Sequence, residues 1–121
     1  MVNRDTLQKA IAAHARWKTR LRDAIDSEKL DVPVSAIKTD NQCEFGKWLY
    51  GSELATEEKG TAHYKEVKEL HARFHQEAAK VAELALSGKK DAAEAVMGAS
   101  GDYGRASADL TLAVSRWRDS T

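Results

Sequence analysis

Between about Thr61 and Leu86, the residues Tyr64, Val67, His71, Phe74, Ala78, Val81 and Ala85 recur in strict steps of 3 and 4. Side chains 3 and 4 apart share one side of an α-helix, so the pattern puts all seven on a single buried stripe. A strand, with its period of two, would scatter them over both faces. A stripe this long needs cover along its whole length, which only other helices or a sheet supply. One of the seven is His71, standing where an apolar side chain belongs. His75 follows one turn later, about 40° round the helix axis.

The cover is written on either side. From about Asp5 to Ser27, Leu7, Ile11, His14, Leu21 and Ile25 form an amphipathic stripe, again with a histidine on the buried line. Lys18 fills the remaining stripe position and is expected to snorkel outward, while Trp17 is placed to shield the imidazole of His14. A closing helix is expected over roughly Asp91 to Asp119, with Val96, Ser100, Tyr103, Ser107, Leu110, Val114 and Trp117 inward. Gly98, Gly101 and Gly104 lie in its first half, each costing about 1 kcal/mol relative to alanine. They either permit close approach of another backbone or break the helix near Ser100-Gly101. Pro33 ends the first element, and Val34 and Ile37 behind it give a few buried contacts.

With a single proline, seven glycines and no long apolar run among 121 residues, the chain reads as one all-α domain over 1–121. The expected architecture is four-helix-bundle-like, with an additional short helix. Lysine and arginine balance aspartate and glutamate to a net charge of zero, which favours neither nucleic acid nor an anionic membrane as partner. No stretch approaches the roughly 20 apolar residues of a membrane span, and no signal peptide precedes the first polar residues. A lone cysteine makes no internal disulfide and suggests a reducing, cytoplasmic setting.

That cysteine lies in Asn41-Gln42-Cys43-Glu44-Phe45-Gly46-Lys47-Trp48-Leu49-Tyr50-Gly51. Asn41 and Glu44 have the spacing of a capping box, so a short helix over Gln42 to Tyr50 is expected, stopped by Gly51 in the left-handed position. Cys43 would then sit in the first turn, where free N–H groups and the helix dipole stabilise a thiolate. Phe45, Trp48 and Leu49 anchor this helix to the bundle. Ser52 to Gly60 reads as a charged link, helical in part, and Ser87-Gly88 closes the long helix.

Three elements thus each place a nitrogen or sulfur donor on or beside a buried stripe. His14, Cys43, His71 and His75 together make a full tetrahedral set for zinc, Zn2+. Four protein ligands leave no open position for water, so hydrolytic catalysis is disfavoured and no enzyme is expected. His63 is left out, being about 12 Å along the helix axis from His71. Each residue also has a plainer reading: core histidines satisfied by hydrogen bonds, and an inert buried cysteine. Two rivals use the same residues. One is a non-haem iron bundle, which would need carboxylates on facing stripes, and Glu83, Glu94 and Asp109 fall off them. The other is a purely structural zinc bundle.

The segments His14-Ala-Arg-Trp17-Lys18-x-x-Leu21, Cys43-x-Phe45-Gly46-Lys47-Trp48-Leu49-Tyr50-Gly51 and His71-x-x-Phe74-His75 resemble the chemoreceptor zinc-binding domain, over nearly the whole chain. The resemblance implies zinc held by His14, His71, His75 and Cys43 in a cytoplasmic bacterial sensory module, a helical bundle that forms a symmetric homodimer. It also implies control of a chemoreceptor signalling region or a diguanylate cyclase, with zinc itself or oxidants such as hypochlorous acid as the stimulus. Such an output region is absent from this chain, which reads as an excised regulatory domain or a stand-alone version. Removing zinc or oxidising Cys43 is expected to free the short helix and shift the bundle.

Overall fold

A computed structural model describes residues 2–121. Its elements are α1 (Arg4–Ser27), α2 (Val34–Lys38), α3 (Glu44–Tyr50), α4 (Thr56–Lys59), α5 (Ala62–Leu86), α6 (Lys90–Met97) and α7 (Asp102–Asp119), with no strand among the described residues. The expected all-α bundle with a short cysteine-bearing helix is the observed one.

The long helices begin and end where local chemistry provides for their unpaired backbone groups. Asn3 caps α1, its side chain accepting from the Asp5 N–H at 2.8 Å, and Thr61 accepts from the Tyr64 N–H at the start of α5. After α5 the chain turns through Gly88 at φ 75°, the left-handed region that glycine enters without steric cost. The Gly88 N–H then donates to the Ala85 carbonyl and the Lys89 N–H to that of Leu84, the paired bonds of a Schellman stop.

α5 is the centre of the molecule, packed by α1, α2, α6 and α7. Its stripe is buried as the periodicity predicts: Tyr64, Val67, Phe74, Ala78, Val81 and Ala85 all lie in the core, and Ala79 and Ala82 widen the face. Against it stand Leu7, Leu21 and Ile25 of α1 and Tyr103, Leu110, Val114 and Trp117 of α7. On α1 the buried line includes Ala10 and Ala24, while Ile11 is only half-buried and Lys18 is exposed.

The closing segment departs from the reading of one continuous helix. It breaks into α6 and α7 across 98–101, and both roles considered for the glycines operate there. Gly98 and Gly101 are extended residues flanking the break. A Cβ on Gly101 would overlap the Ala95 and Val96 carbonyl oxygens, and one on Gly104 that of Gly98. Ala93 and Met97 are buried in place of Val96, and Ala106 and Ala113 are buried where Ser107 was expected.

α3 is held differently from the rest. Few of its backbone atoms approach another helix closely. Side chains attach it instead: Phe45 and Leu49 are buried, Trp48 packs 5.6 Å from Trp117, and Tyr64 donates from its hydroxyl to the Leu49 carbonyl at 2.9 Å. Trp117 is deeply buried, as its place on the closing stripe predicts, while Trp17 and Trp48 are half-buried and packed against the core.

Candidate metal centre

The structure brings His14, Cys43, His71 and His75 together, from α1, the start of α3, and α5. One ligand atom from each lies within 4.8 Å of all the others. His71 Nε2 is the hub, 3.1 Å from His14 Nε2, 3.0 Å from His75 Nε2 and 3.3 Å from Cys43 Sγ. His75 Nε2 stands 3.6 Å from the same sulfur. His63, the second residue of α5, is half-exposed and outside the cluster.

Two backbone carbonyls decide what the imidazoles present. His14 Nδ1 is 2.7 Å from the Ala10 carbonyl oxygen, and His75 Nδ1 is 2.9 Å from that of Ile37. A carbonyl only accepts, so both Nδ1 atoms carry the proton and both Nε2 atoms turn a lone pair inward. His71 Nε2 can donate a proton to only one of them, and its own buried Nδ1 has no hydrogen-bond partner. Two inward lone pairs, a sulfur and an unsatisfied ring are an unfavourable arrangement without a cation. They suit one well. Tetrahedral zinc–donor bonds of about 2.0 Å to nitrogen and 2.3 Å to sulfur separate neighbouring donors by roughly 3.3–3.6 Å. The four contacts just given are at or slightly inside that range, and the remaining pairs lie within 4.8 Å.

The donor set is three imidazoles and one thiol with no carboxylate, which suits zinc better than iron held by oxygen ligands. Asp109, one of the carboxylates an iron bundle would recruit, instead accepts from Arg73 at 3.1 Å on the surface. The carbonyls of Ala10 and Ile37 orient these two rings, in the way that partners of metal-bound histidines generally do. No side-chain motif encodes these carbonyls, and Ile37 is distant in sequence from His75. Trp17 does not cover His14; its ring stacks under the Arg20 guanidinium at 4.0 Å. Phe74 and Phe45 do, edge-on at 5.1 and 5.8 Å between centroids.

Cys43 is the N-cap of α3, one step before the first turn where it was expected, and its sulfur accepts from the Gly46 N–H at 3.3 Å. Gly51 ends the helix in an extended conformation, and not in the left-handed one. Burial pushes the thiol pKa up, outweighing the backbone N–H groups that lower it. The helix start alone therefore does not hold a thiolate, whereas a coordinated cation deprotonates a thiol outright.

Burial also keeps the imidazoles neutral. It draws the His14 pKa down to about 4 against the opposing Ala10 carbonyl, and that of His71 to about 2 with the help of its two neighbouring rings. His75 is lowered by burial as well. In the unfolded chain these groups titrate near 6.5. The unfolded state therefore binds more protons below that pH, and folding stability falls as protons are added. Metal-free protein is expected to be most stable above pH about 6.5 and to lose stability as pH drops toward about 4. Urea midpoints measured in chelator at pH 7 and pH 5 test this, and equal midpoints would refute neutral buried imidazoles.

The family model described as the chemoreceptor zinc-binding domain matches residues 14–82, more than half of the chain. The span opens on His14, contains all four donors and ends within α5. It stops short of α6 and α7, so it is narrower than the near-complete resemblance expected. No curated protein and no solved structure matches the chain.

Proposed function

The chain belongs to the chemoreceptor zinc-binding domain family, and from that premise we propose that it is a sensory module whose zinc-bound Cys43 responds to oxidants or to zinc supply. The observation that carries the reading is the convergence of three Nε2 atoms and one sulfur, with two of the rings locked by backbone carbonyls into the tautomer a cation needs. On this reading His14, His71, His75 and Cys43 are the ligands, the site is closed, and the domain regulates an output region and catalyses nothing itself. A homodimer in the cytoplasm, coupled to a chemoreceptor or cyclase signalling region, is the setting the family supports.

Bound zinc would supply a covalent-strength link between α3 and the two long helices, and would keep the sulfur ionised. The placement of the donors on the helices sets the response. Cys43 is the only donor on α3, and α3 owes little of its attachment to backbone packing. Oxidation of the sulfur changes the one ligand that ties this helix to α1 and α5, while His71 and His75 stay together on α5. The link from chemistry to conformation therefore runs through residues 41–51. A purely structural zinc site would use the same ligands but would leave the sulfur inert. Cys43 is partly exposed, unlike the three histidines, which favours the responsive reading.

Protein purified without added metal or chelator is expected to carry stoichiometric zinc. Cys43→Ser should weaken that binding by at least about tenfold, since changes merely to the partners of ligands cost roughly 10–100-fold. Mild oxidant should then raise hydrogen exchange across 41–51 in the wild type. Zinc content alike in both proteins, or unchanged exchange on oxidation, would sink the sensor reading.

A further inference from the structure

Beside the donor cluster, between α1 and α3, runs an open groove of about 490 Å³. Its walls include Ala10, Ala13 and Trp17 of α1 and Phe45 and Trp48 of α3, and at its floor it reaches His14 and Cys43. His71 and His75 do not line it; with His71 at 0% and His75 at 2% exposure they are sealed behind the other two donors. The cluster therefore has a back, closed by α5, and a front that opens on this groove. Lys9 and Arg16 on its rim are balanced by Glu44 and Glu53, so the rim presents no net charge to draw in ions.

From this geometry we propose that the α1–α3 groove is the access route to the Cys43 sulfur for small uncharged oxidants of the hypochlorous acid class. The inference rests on the sensor reading above and adds to it a route. Reaction of a thiol with an oxidant depends on thiolate character and on access, and the groove supplies the second. In the step itself the thiolate electron pair bonds to chlorine as the chlorine–oxygen bond of hypochlorous acid breaks, and hydroxide leaves. Water then displaces chloride from sulfur, losing a proton, to give the sulfenic acid. Sulfur loses two electrons, which the chlorine accepts.

Ala13 is among the lining residues, so a larger side chain there takes up part of the groove without replacing a donor. Zinc-loaded Ala13→Phe is expected to release zinc to hypochlorous acid about tenfold more slowly than the wild type, because access limits the thiolate's reaction. Zinc content should be unchanged. Ala12→Phe, on the exposed side of the same turn, should behave as the wild type. If Ala13→Phe does not fold, Thr6→Trp narrows the groove from its rim and should slow release in the same way. Wild-type protein that keeps its zinc in hypochlorous acid would overturn the oxidant half of the sensor reading, and the route with it. Wild-type release matched by equally fast release from the narrowed variants would leave that reading standing and overturn the route.

Discussion

His71→Leu is expected to abolish zinc-dependent stabilisation and yet leave the metal-free chain as stable as the wild type or more so. The ring of His71 is fully buried, its Nε2 is the hub of the donor cluster and its Nδ1 has no partner. Leucine has a similar volume and removes the unpartnered Nδ1 at the cost of the one hydrogen bond that Nε2 can donate, so the gain offsets the loss. With zinc present the sign reverses. A ligand held a thousandfold above its dissociation constant stabilises the folded state by about 4.1 kcal/mol, and a variant that cannot bind loses all of it. Urea unfolding of both proteins, in zinc and in chelator, should therefore give curves that change order. Variant and wild type keeping the same order in both conditions would return His71 to the status of a core side chain.

The second large effect is expected at Gly46. This glycine packs directly on the Asp40 backbone, where an added Cβ would overlap the carbonyl oxygen. The obstacle is main chain and does not swing aside as a long side chain would. The Gly46 N–H is also the donor to Cys43 Sγ. Gly46→Ala should thus push α3 away from the 40–41 segment and carry the sulfur with it. Because α3 is attached mainly by side chains, the damage should stay local. Zinc affinity is expected to fall by at least about tenfold, as misplacing a ligand costs no less than losing its orienting partner. The helical signal of α1, α5 and α7 should persist in circular dichroism. A variant binding zinc as tightly as the wild type would show that the 40–46 contact does not position Cys43.

How far the sequence alone reveals each feature depends on the range over which that feature is encoded. The stripe of α5 is local and repetitive, so its helix, its buried face and the positions of His71 and His75 are legible in the spacing. The four donors are legible for the same reason, each standing out on or beside a stripe. The start of α3 is misplaced by spacing alone because Asn41 and Glu44 have capping-box separation, while the cap is Cys43 itself, fixed by packing of Gly46 on Asp40. Periodicity carried across 98–101 assigns Val96 to the core because the pattern contains no record of the break, and within α7 Ala106 fits the spacing between Tyr103 and Leu110 as well as Ser107 does and is the one buried. Nor can the sequence show that the carbonyls of Ala10 and Ile37 set two histidine tautomers: every residue has a carbonyl, and only the fold decides which one faces a ring.

The distribution of the donors along the chain bears on the order in which the centre assembles. His71 and His75 are four residues apart on one helix, whereas the His71 contacts to Cys43 and His14 close 28 and 57 residues of chain. Loop-closure entropy rises with the length closed, and contacts distant in sequence form late. A nascent α5 already presents two imidazoles one turn apart, before any tertiary structure exists. The 28-residue closure to Cys43 costs less entropy than the 57-residue closure to His14, so on this count the sulfur joins before α1 docks the third imidazole. The last donor to arrive is then His14, and docking of α1 closes from the far end of the chain the centre that α5 opens.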